Sequence, residues 1–261
     1  VLPGRNLAKH LREKNYHIEL ITDKRGYKYL GNSKDLNIKF LPSIKLNTKN
    51  IFTLSLSVTF IAYSVLRSLV FLILNRPSIV IGMGGYASFP VCFAASILNI
   101  KLLIYENNCI IGKANKYLLP FSKKILVSHK DLDGVFKKYQ DKVVSIGNIL
   151  NKEIINFVHP KDDTRDISKL SIIILGGSQA AKAFAEILPK IFKKCSEEGI
   201  NLKIYQQCLP SQSENLKLFY NNNNIKYELF YFSNNIINYL SKVNLAITRS
   251  GSSMLAELTN A

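Results

Sequence analysis

Three short glycine-containing stretches carry the residue types that bind phosphate: Gly82-Met83-Gly84-Gly85-Tyr86, Gly176-Gly177-Ser178-Gln179 and Arg249-Ser250-Gly251-Ser252-Ser253. Each follows an aliphatic run of strand character and opens a segment with helical periodicity. Glycine lets backbone N–H groups approach an anion, and the helix N-terminus behind such a turn adds partial positive charge. Serines there supply hydroxyl donors or cap the helix. None of the three is a Walker loop, because no Gly-Lys-Ser/Thr follows, and none is the dinucleotide fingerprint Gly-x-Gly-x-x-Gly. One such loop is ordinary turn chemistry. Three in one chain point to two phosphorylated ligands meeting in a cleft.

Two carboxylates stand beside these loops. Glu257 lies five residues after Ser252, inside the helix that the third loop opens, where a carboxylate can accept two hydrogen bonds from vicinal ribose hydroxyls. The bland alternative is a solvated helix glutamate. Tyr105-Glu106-Asn107-Asn108 ends another strand and brings a carboxylate and two amides together. Amides suit sugar hydroxyls and a carboxylate can assist proton transfer, although the same residues also make a turn.

The elements that must position these residues alternate strand and helix. The pattern predicts a helix over 5–14, strands at 17–21 and 38–41, a long apolar helix, a strand at 79–81, a helix over 89–98, and strands at 101–105, 125–127 and 143–146. Residues 151–169 turn polar and lose periodicity, which reads as a linker between a domain at 1–150 and a second at 170–261. Strands at 171–175, 202–205 and 245–247 restart the alternation. Short apolar strands alternating with helices mean parallel sheets covered on both faces, hence an α/β fold of two doubly wound, Rossmann-like domains. Ligands in such sheets sit at the carboxyl ends of the strands.

The chain has 35 Lys and Arg against 18 Asp and Glu, a net charge of +17. Such a balance attracts nucleic acid, anionic membrane or phosphorylated substrates, and charge alone does not choose among them. The lysines are spread rather than clustered. Cys92, Cys109, Cys195 and Cys208 have no Cys-x-x-Cys spacing, and the four histidines form no ligand pattern, so no metal site is expected and a reducing cytoplasm suits the thiols. The apolar run 51–74 is long enough to span a bilayer but contains Arg67, which costs roughly 2.5–3.5 kcal/mol at a span's centre. A buried or surface-docking helix is the expected outcome. Phe60, Tyr63, Leu66, Val70, Phe71 and Leu74 can share one broad face, flanked by Arg67 and Arg76, that could rest on a membrane.

Taken together, the three loops, Phe89-Pro90, Tyr105-Glu106-Asn107-Asn108, Gly112-Lys113-Ala114-Asn115-Lys116, Gly147-Asn148, Gln206-Gln207 and Ala256-Glu257-Leu258-Thr259 resemble the MurG family of peptidoglycan glycosyltransferases, which convert lipid I to lipid II. They occur in family order along essentially the whole chain. The resemblance implies the GT-B fold, two Rossmann-like domains with parallel sheets facing across a cleft, and an inverting transfer of N-acetylglucosamine (GlcNAc) from UDP-GlcNAc to the muramyl sugar of lipid I, without metal or other cofactor. It implies that Ser178 meets the donor's diphosphate, Ser233 the uracil, and Ser252, Ser253, Met254, Leu255 and Ala256 the nucleotide. Glu257 would hold the ribose and Asn108 would reach the donor sugar. Gly82, Gly84, Gly85 and Tyr86 would bind the acceptor's pyrophosphate. The implied partners are UDP-GlcNAc, lipid I and the cytoplasmic membrane surface, with no nucleic acid, and the implied location is peripheral, on the cytoplasmic face of the bacterial inner membrane.

The chain departs from the family pattern in places. The first glycine-rich loop, with the histidine that is the leading candidate base, is expected ahead of Val1, which leaves Glu106 and Asn108 as the catalytic candidates within the chain. An arginine expected to contact diphosphate is Asn151, with Lys152 beside it as a point charge lacking the bidentate fork. Ala180 replaces a glycine, and a glutamine-containing donor segment is expected after Ala261. The chain therefore reads as a piece without either end, expected to be inactive by itself. Other readings are another GT-B UDP-sugar glycolipid transferase, an epimerase of the same architecture, or a non-catalytic basic protein binding nucleic acid or membrane. The last predicts a contiguous cationic stripe with interleaved aromatics.

Overall fold

The computed structural model describes the chain except residues 28–29, 31–34, 47–49, 158–168, 232–235 and 261 and the side chains of 178–181. It divides into two compact units, Val1–Asn151 and Lys152–Ala261. Most of the linker expected at 151–169 lies outside the described residues.

The first unit runs α1 (Leu2–Glu13), β1 (Glu19–Thr22), α2 (Lys24–Tyr27), β2 (Asn37–Phe40), α3 (Ile51–Asn75), β3 (Ile79–Gly82), α4 (Phe89–Ile97), β4 (Lys101–Glu106), α5 (Lys113–Leu118), β5 (Lys124–Val127), a 3-10 turn (Lys137–Lys142) and β6 (Val143–Ser145). The second runs α6 (Lys152–Ile155), β7 (Leu170–Leu175), α7 (Gly177–Glu197), β8 (Leu202–Gln207), α8 (Pro210–Asn222), β9 (Lys226–Phe230), α9 (Ile237–Leu240), β10 (Leu245–Thr248) and α10 (Ser252–Thr259). Every predicted strand is present, shifted by a residue or two at its ends. The strand β9 was not expected: its Lys-Tyr-Glu-Leu-Phe sequence lies at a sheet edge and lacks the continuous aliphatic run of the central strands.

All pairings are parallel. In the first unit β1 pairs with β2, and β3, β4, β5 and β6 lie side by side in that order. In the second the order is β10-β7-β8-β9. The chain thus builds outward from β7 and then returns to its other side, so β7 and β10 flank a topological switch point. That is where open parallel sheets bind ligands. Central strands are buried on both faces, as Ile172, Ile173, Ile174 and Leu175 show.

The helix α3 corrects one expectation. Asn50 caps it, accepting the Thr53 N–H at 2.8 Å, and it ends where Arg76 turns left-handed (φ 42°) before Pro77. Its buried face is made of Ser57, Ser64, Ser68 and Leu72, and most of its large apolar side chains are exposed. Phe60, Tyr63, Leu66, Val70 and Leu74 are exposed as expected of a docking face, but Phe71 packs inward with Leu72, Val91, Ala94 and Ala95. The reading of a buried core helix is thereby excluded. Small side chains on the inner face permit close approach to α4. Each buried serine hydroxyl donates to the carbonyl four residues back, at 2.7–2.8 Å, so none is left unsatisfied.

Candidate functional site

Residues Gly82 and Ile104 are register partners, so the loops after β3 and β4 emerge side by side. A side chain at Gly82 would put its Cβ 2.6 Å from the Cys92 sulfur, so any other residue there forces a shift and glycine is favoured. Burial pushes the Cys92 thiol up to about 12, so it is a packing group and not a nucleophile. Gly84 and Gly85 have φ of 77° and 73°, a left-handed pair that costs other residues strain. Neither of their backbone N–H groups meets an acceptor among the described residues, and a Cβ on Gly85 would touch nothing within 4 Å. Successive amides of this kind form an anion-binding nest. The half-buried Tyr86 follows.

Beside this loop, Glu106 is buried with both oxygens engaged. Oε1 accepts the Asn108 N–H at 3.1 Å and its side-chain amide at 2.9 Å. Oε2 accepts the Gly112 N–H at 2.8 Å and the Asn115 amide at 3.0 Å. Four donors fill the carboxylate's acceptor positions. These four bonds fold residues 106–115 into one unit around Glu106, a positioning role visible in the structure beside the proton-transfer role expected from the sequence. Asn108 is exposed, and its amide oxygen has no hydrogen bond to the described residues. The wholly buried Asn115 also donates to the Tyr105 carbonyl at 3.0 Å and lies under Gly84, whose Cβ would come within 3.4 Å of the amide nitrogen.

The Tyr105 hydroxyl lies 2.7 Å from the Ser128 hydroxyl, donates to Asn107 Oδ1 at 2.8 Å and accepts the Ile149 N–H at 3.3 Å. It ties the ends of β4 and β5 to the Gly147-Asn148 segment. In the sequence Tyr105, Asn115 and Gly147-Asn148 stand out only as motif members, and Ser128 carries no motif. Contacts spanning more than 20 residues leave no local signal.

In the second unit Thr248 and Leu175 are register partners, and the Thr248 hydroxyl donates to the Leu175 carbonyl at 3.2 Å. The Gly176 and Arg249 loops therefore begin next to each other at the switch point. Gly177 (φ 61°) starts α7, and its N–H is held by Gln207 Oε1 at 3.1 Å, while Gln207 donates to the Tyr231 carbonyl at 3.1 Å. Strand alternation turns the neighbouring Gln206 inward, where it accepts the Tyr220 hydroxyl at 2.6 Å. The Ser178 side chain and the whole of Ser233 lie outside the described residues.

Gly251 opens α10 in an extended conformation without a side-chain cap. Ser252 and Ser253 are half-buried in its first turn and Leu255 is exposed. Met254 packs against the cluster of Ile173, Leu175 and Tyr205, and Ala256 is buried. The buried Ala256 therefore has backbone, not side chain, to offer a ligand. Glu257 is half-buried without a hydrogen-bond or ion-pair partner among the described residues, and burial raises its carboxyl above the ordinary value. A desolvated acceptor on the helix that the Arg249 loop opens suits a hydroxyl-bearing ligand. Lys152 is the exposed first residue of α6.

Comparison with known proteins gives this geometry a family. The profile of the Glycosyltransferase family 28 N-terminal domain matches residues 1–127, and that of the C-terminal domain matches 171–261. A protein of Pelagibacter ubique (strain HTCC1062) is 34% identical over 99% of this chain and 70% of its own length. One of Rickettsia felis is 31% identical over 98% of the chain and 72% of its own. Both are named UDP-N-acetylglucosamine:N-acetylmuramyl-(pentapeptide) pyrophosphoryl-undecaprenol N-acetylglucosamine transferase. Among solved structures, Acinetobacter baumannii MurG superposes with a TM-score of 0.68 at 22% identity, covering 98% of this chain and 70% of that one. A Neisseria meningitidis UDP-GlcNAc 2-epimerase bound to UDP-GlcNAc superposes with a TM-score of 0.56 at 14% identity, covering 96% and 74%. These structural likenesses show the GT-B architecture. With both domain profiles matched and a third of its residues shared with the Pelagibacter relative, the chain belongs to glycosyltransferase family 28.

Proposed function

We propose that the protein transfers GlcNAc from UDP-GlcNAc to undecaprenyl-pyrophosphoryl-MurNAc-pentapeptide (lipid I), making lipid II for the cell wall. The observation that carries this reading is the identity of 31–34% over 98–99% of the chain to relatives that share that one activity in their names. The switch point of the second unit supports a nucleotide diphosphate as the donor. There the amino ends of α7 and α10 emerge from adjacent strands, beside a partnerless carboxylate on Glu257.

In this reading the backbone at α7's start and Ser178 hold the diphosphate, Ser252 to Ala256 line the nucleotide, Ser233 meets the uracil and Glu257 accepts the ribose hydroxyls. The acceptor hydroxyl attacks the anomeric carbon with inversion, its proton passes to a base, and the sugar–phosphate bond breaks to release UDP. Helix N-termini stabilise the negative charge growing on that diphosphate without a divalent ion. Glu106 holds the loop that presents Asn108 to the donor sugar, and the Gly82–Tyr86 loop takes the acceptor's pyrophosphate.

The exposed face of α3 is the surface that meets the membrane. Its mean hydropathy is 2.0 over the most apolar window, with only 22% of that window buried, and Arg67 and Arg76 flank it. An apolar face beside cations suits a helix lying in the interface of anionic lipid. The location is then the cytoplasmic face of the inner membrane.

Calorimetric titration tests the donor site. UDP-GlcNAc should bind in the presence of chelator and be displaced by UDP. Absence of binding by a folded protein counts against the donor reading.

A further inference from the structure

The loop after β1 sets a guanidinium against the Gly82–Tyr86 turn. Asp23 organises it: Oδ1 accepts the Gly26 N–H at 2.7 Å, and Oδ2 accepts from Arg25 Nη2 at 2.8 Å and from the Ser43 hydroxyl at 2.9 Å. Glycine fits at Gly26, because a Cβ there would collide with the Thr22 hydroxyl unless that side chain moved. Burial pushes the Asp23 carboxyl up, but the Gly26 N–H, Ser43 and Arg25 outweigh it and hold it below its ordinary value. The carboxylate is therefore ionised at neutral pH and covered by three donors.

Arg25 is gripped twice. Asp23 holds one edge of the guanidinium, and its Cζ lies 4.3 Å from the centroid of the Tyr86 ring, a cation–π contact. Its side chain is still 59% exposed, and Nε and Nη1 donate to no acceptor among the described residues. Immediately before Tyr86 come the Gly84 and Gly85 amides, likewise without acceptors among the described residues. A fixed cation with a free edge and a backbone nest thus adjoin one another, and no described carboxylate other than the covered Asp23 contacts Arg25. Two neighbouring donor groups of this kind match a diphosphate, one phosphate to each. The planar fork suits phosphate oxygens in a way that a lysine point charge does not.

We infer that Arg25 is a binding residue for the acceptor's diphosphate, taking one phosphate on its free guanidinium edge while the Gly84–Gly85 amides take the other. This rests on the acceptor-loop reading given above. Asp23 and Tyr86 are positioning residues that hold the guanidinium in place.

The test uses the full reading frame containing this chain, with initial rates against a short-chain lipid I analogue and against UDP-GlcNAc. The variants are Arg25→Ala, Arg25→Lys and Gly85→Ala, with a melting curve for each. Loss of a charge-assisted phosphate contact should raise the acceptor KM about tenfold or more in Arg25→Ala. Arg25→Lys should recover part of that loss, and the donor KM should not move. If Gly85→Ala raises the acceptor KM and Arg25→Ala does not, the inference is overturned and the acceptor-loop reading stands. If neither variant moves it, both fail. If Arg25→Ala lowers the melting temperature and weakens both substrates equally, Arg25 is structural and the inference is wrong.

Discussion

Replacing Glu106 with glutamine separates a positioning carboxylate from a proton-transfer group. Glutamine keeps one accepting oxygen and brings an NH2 group where the other oxygen stood. The half-buried Gly112 N–H and the buried Asn115 amide, at 2.8 and 3.0 Å, require the oxygen. The NH2 then faces the Asn108 N–H and amide, donor against donor, and those belong to an exposed residue that can turn to water. Two bonds are lost at about 0.5–1.5 kcal/mol each, and the remaining two lose charge assistance of similar size. The sum is about 2–4 kcal/mol. For a unit of this size, a melting temperature drops by about 2–4 °C per kcal/mol, so Glu106→Gln should melt roughly 5–15 °C below the parent by circular dichroism. Transfer activity should fall with it, and the pH–rate profile should keep its shape. A variant that melts with the parent, loses activity a hundredfold and loses the acid limb of its pH profile would refute the positioning argument.

Three further outcomes follow from other parts of the structure. Glu257→Gln should weaken UDP-GlcNAc about tenfold by calorimetry, as expected for loss of a hydrogen bond to a charged acceptor. Because burial raises the Glu257 carboxyl, the folded state holds that proton more tightly than the unfolded chain does. Ligand-free stability should therefore fall as pH rises from the ordinary glutamate value through the raised one, and donor affinity should fall as pH drops through it; pH-independent donor binding between 4 and 8 would contradict the ribose role. Gly82→Ala places a methyl 2.6 Å from the Cys92 sulfur and should cost about 1–3 kcal/mol in urea unfolding. Adding Cys92→Ala should recover part of that cost, with a favourable coupling of roughly 1 kcal/mol. On α3, changing the exposed Leu66 and Val70 to Glu should reduce binding to anionic vesicles roughly tenfold or more with little change in melting. Ser68→Leu on the buried face should do the reverse, destabilising by about 1–3 kcal/mol while leaving vesicle affinity alone.

Much of this architecture was legible because buried parallel strands are written as unbroken aliphatic runs closed by glycine. Ile79–Gly82 and Leu170–Leu175 announce both themselves and the loops that follow. Strand order was not legible, since the return of β10 to the far side of β7 is a property of the whole sheet. The amphiphilicity of α3 was visible in composition but not its direction, because hydropathy does not say which face meets protein. Ser57, Ser64 and Ser68 held that information: small residues repeating at helical spacing mark a face that packs closely, and Ala94-Ala95 on α4 is the complementary surface. The surroundings of Glu106 were not legible for a different reason. A carboxylate at a strand end beside amides looks the same on paper whether or not it holds its own loop, and the four donor distances show that it does.

The most direct test of the account uses the full reading frame, labelled UDP-GlcNAc and a short-chain lipid I analogue, in chelator. The account predicts GlcNAc transfer to the analogue with inversion at the anomeric carbon, faster from UDP-GlcNAc than from UDP-glucose or UDP-galactose. A folded protein that binds UDP-GlcNAc but converts it to another sugar nucleotide, or leaves the analogue unmodified, would contradict it.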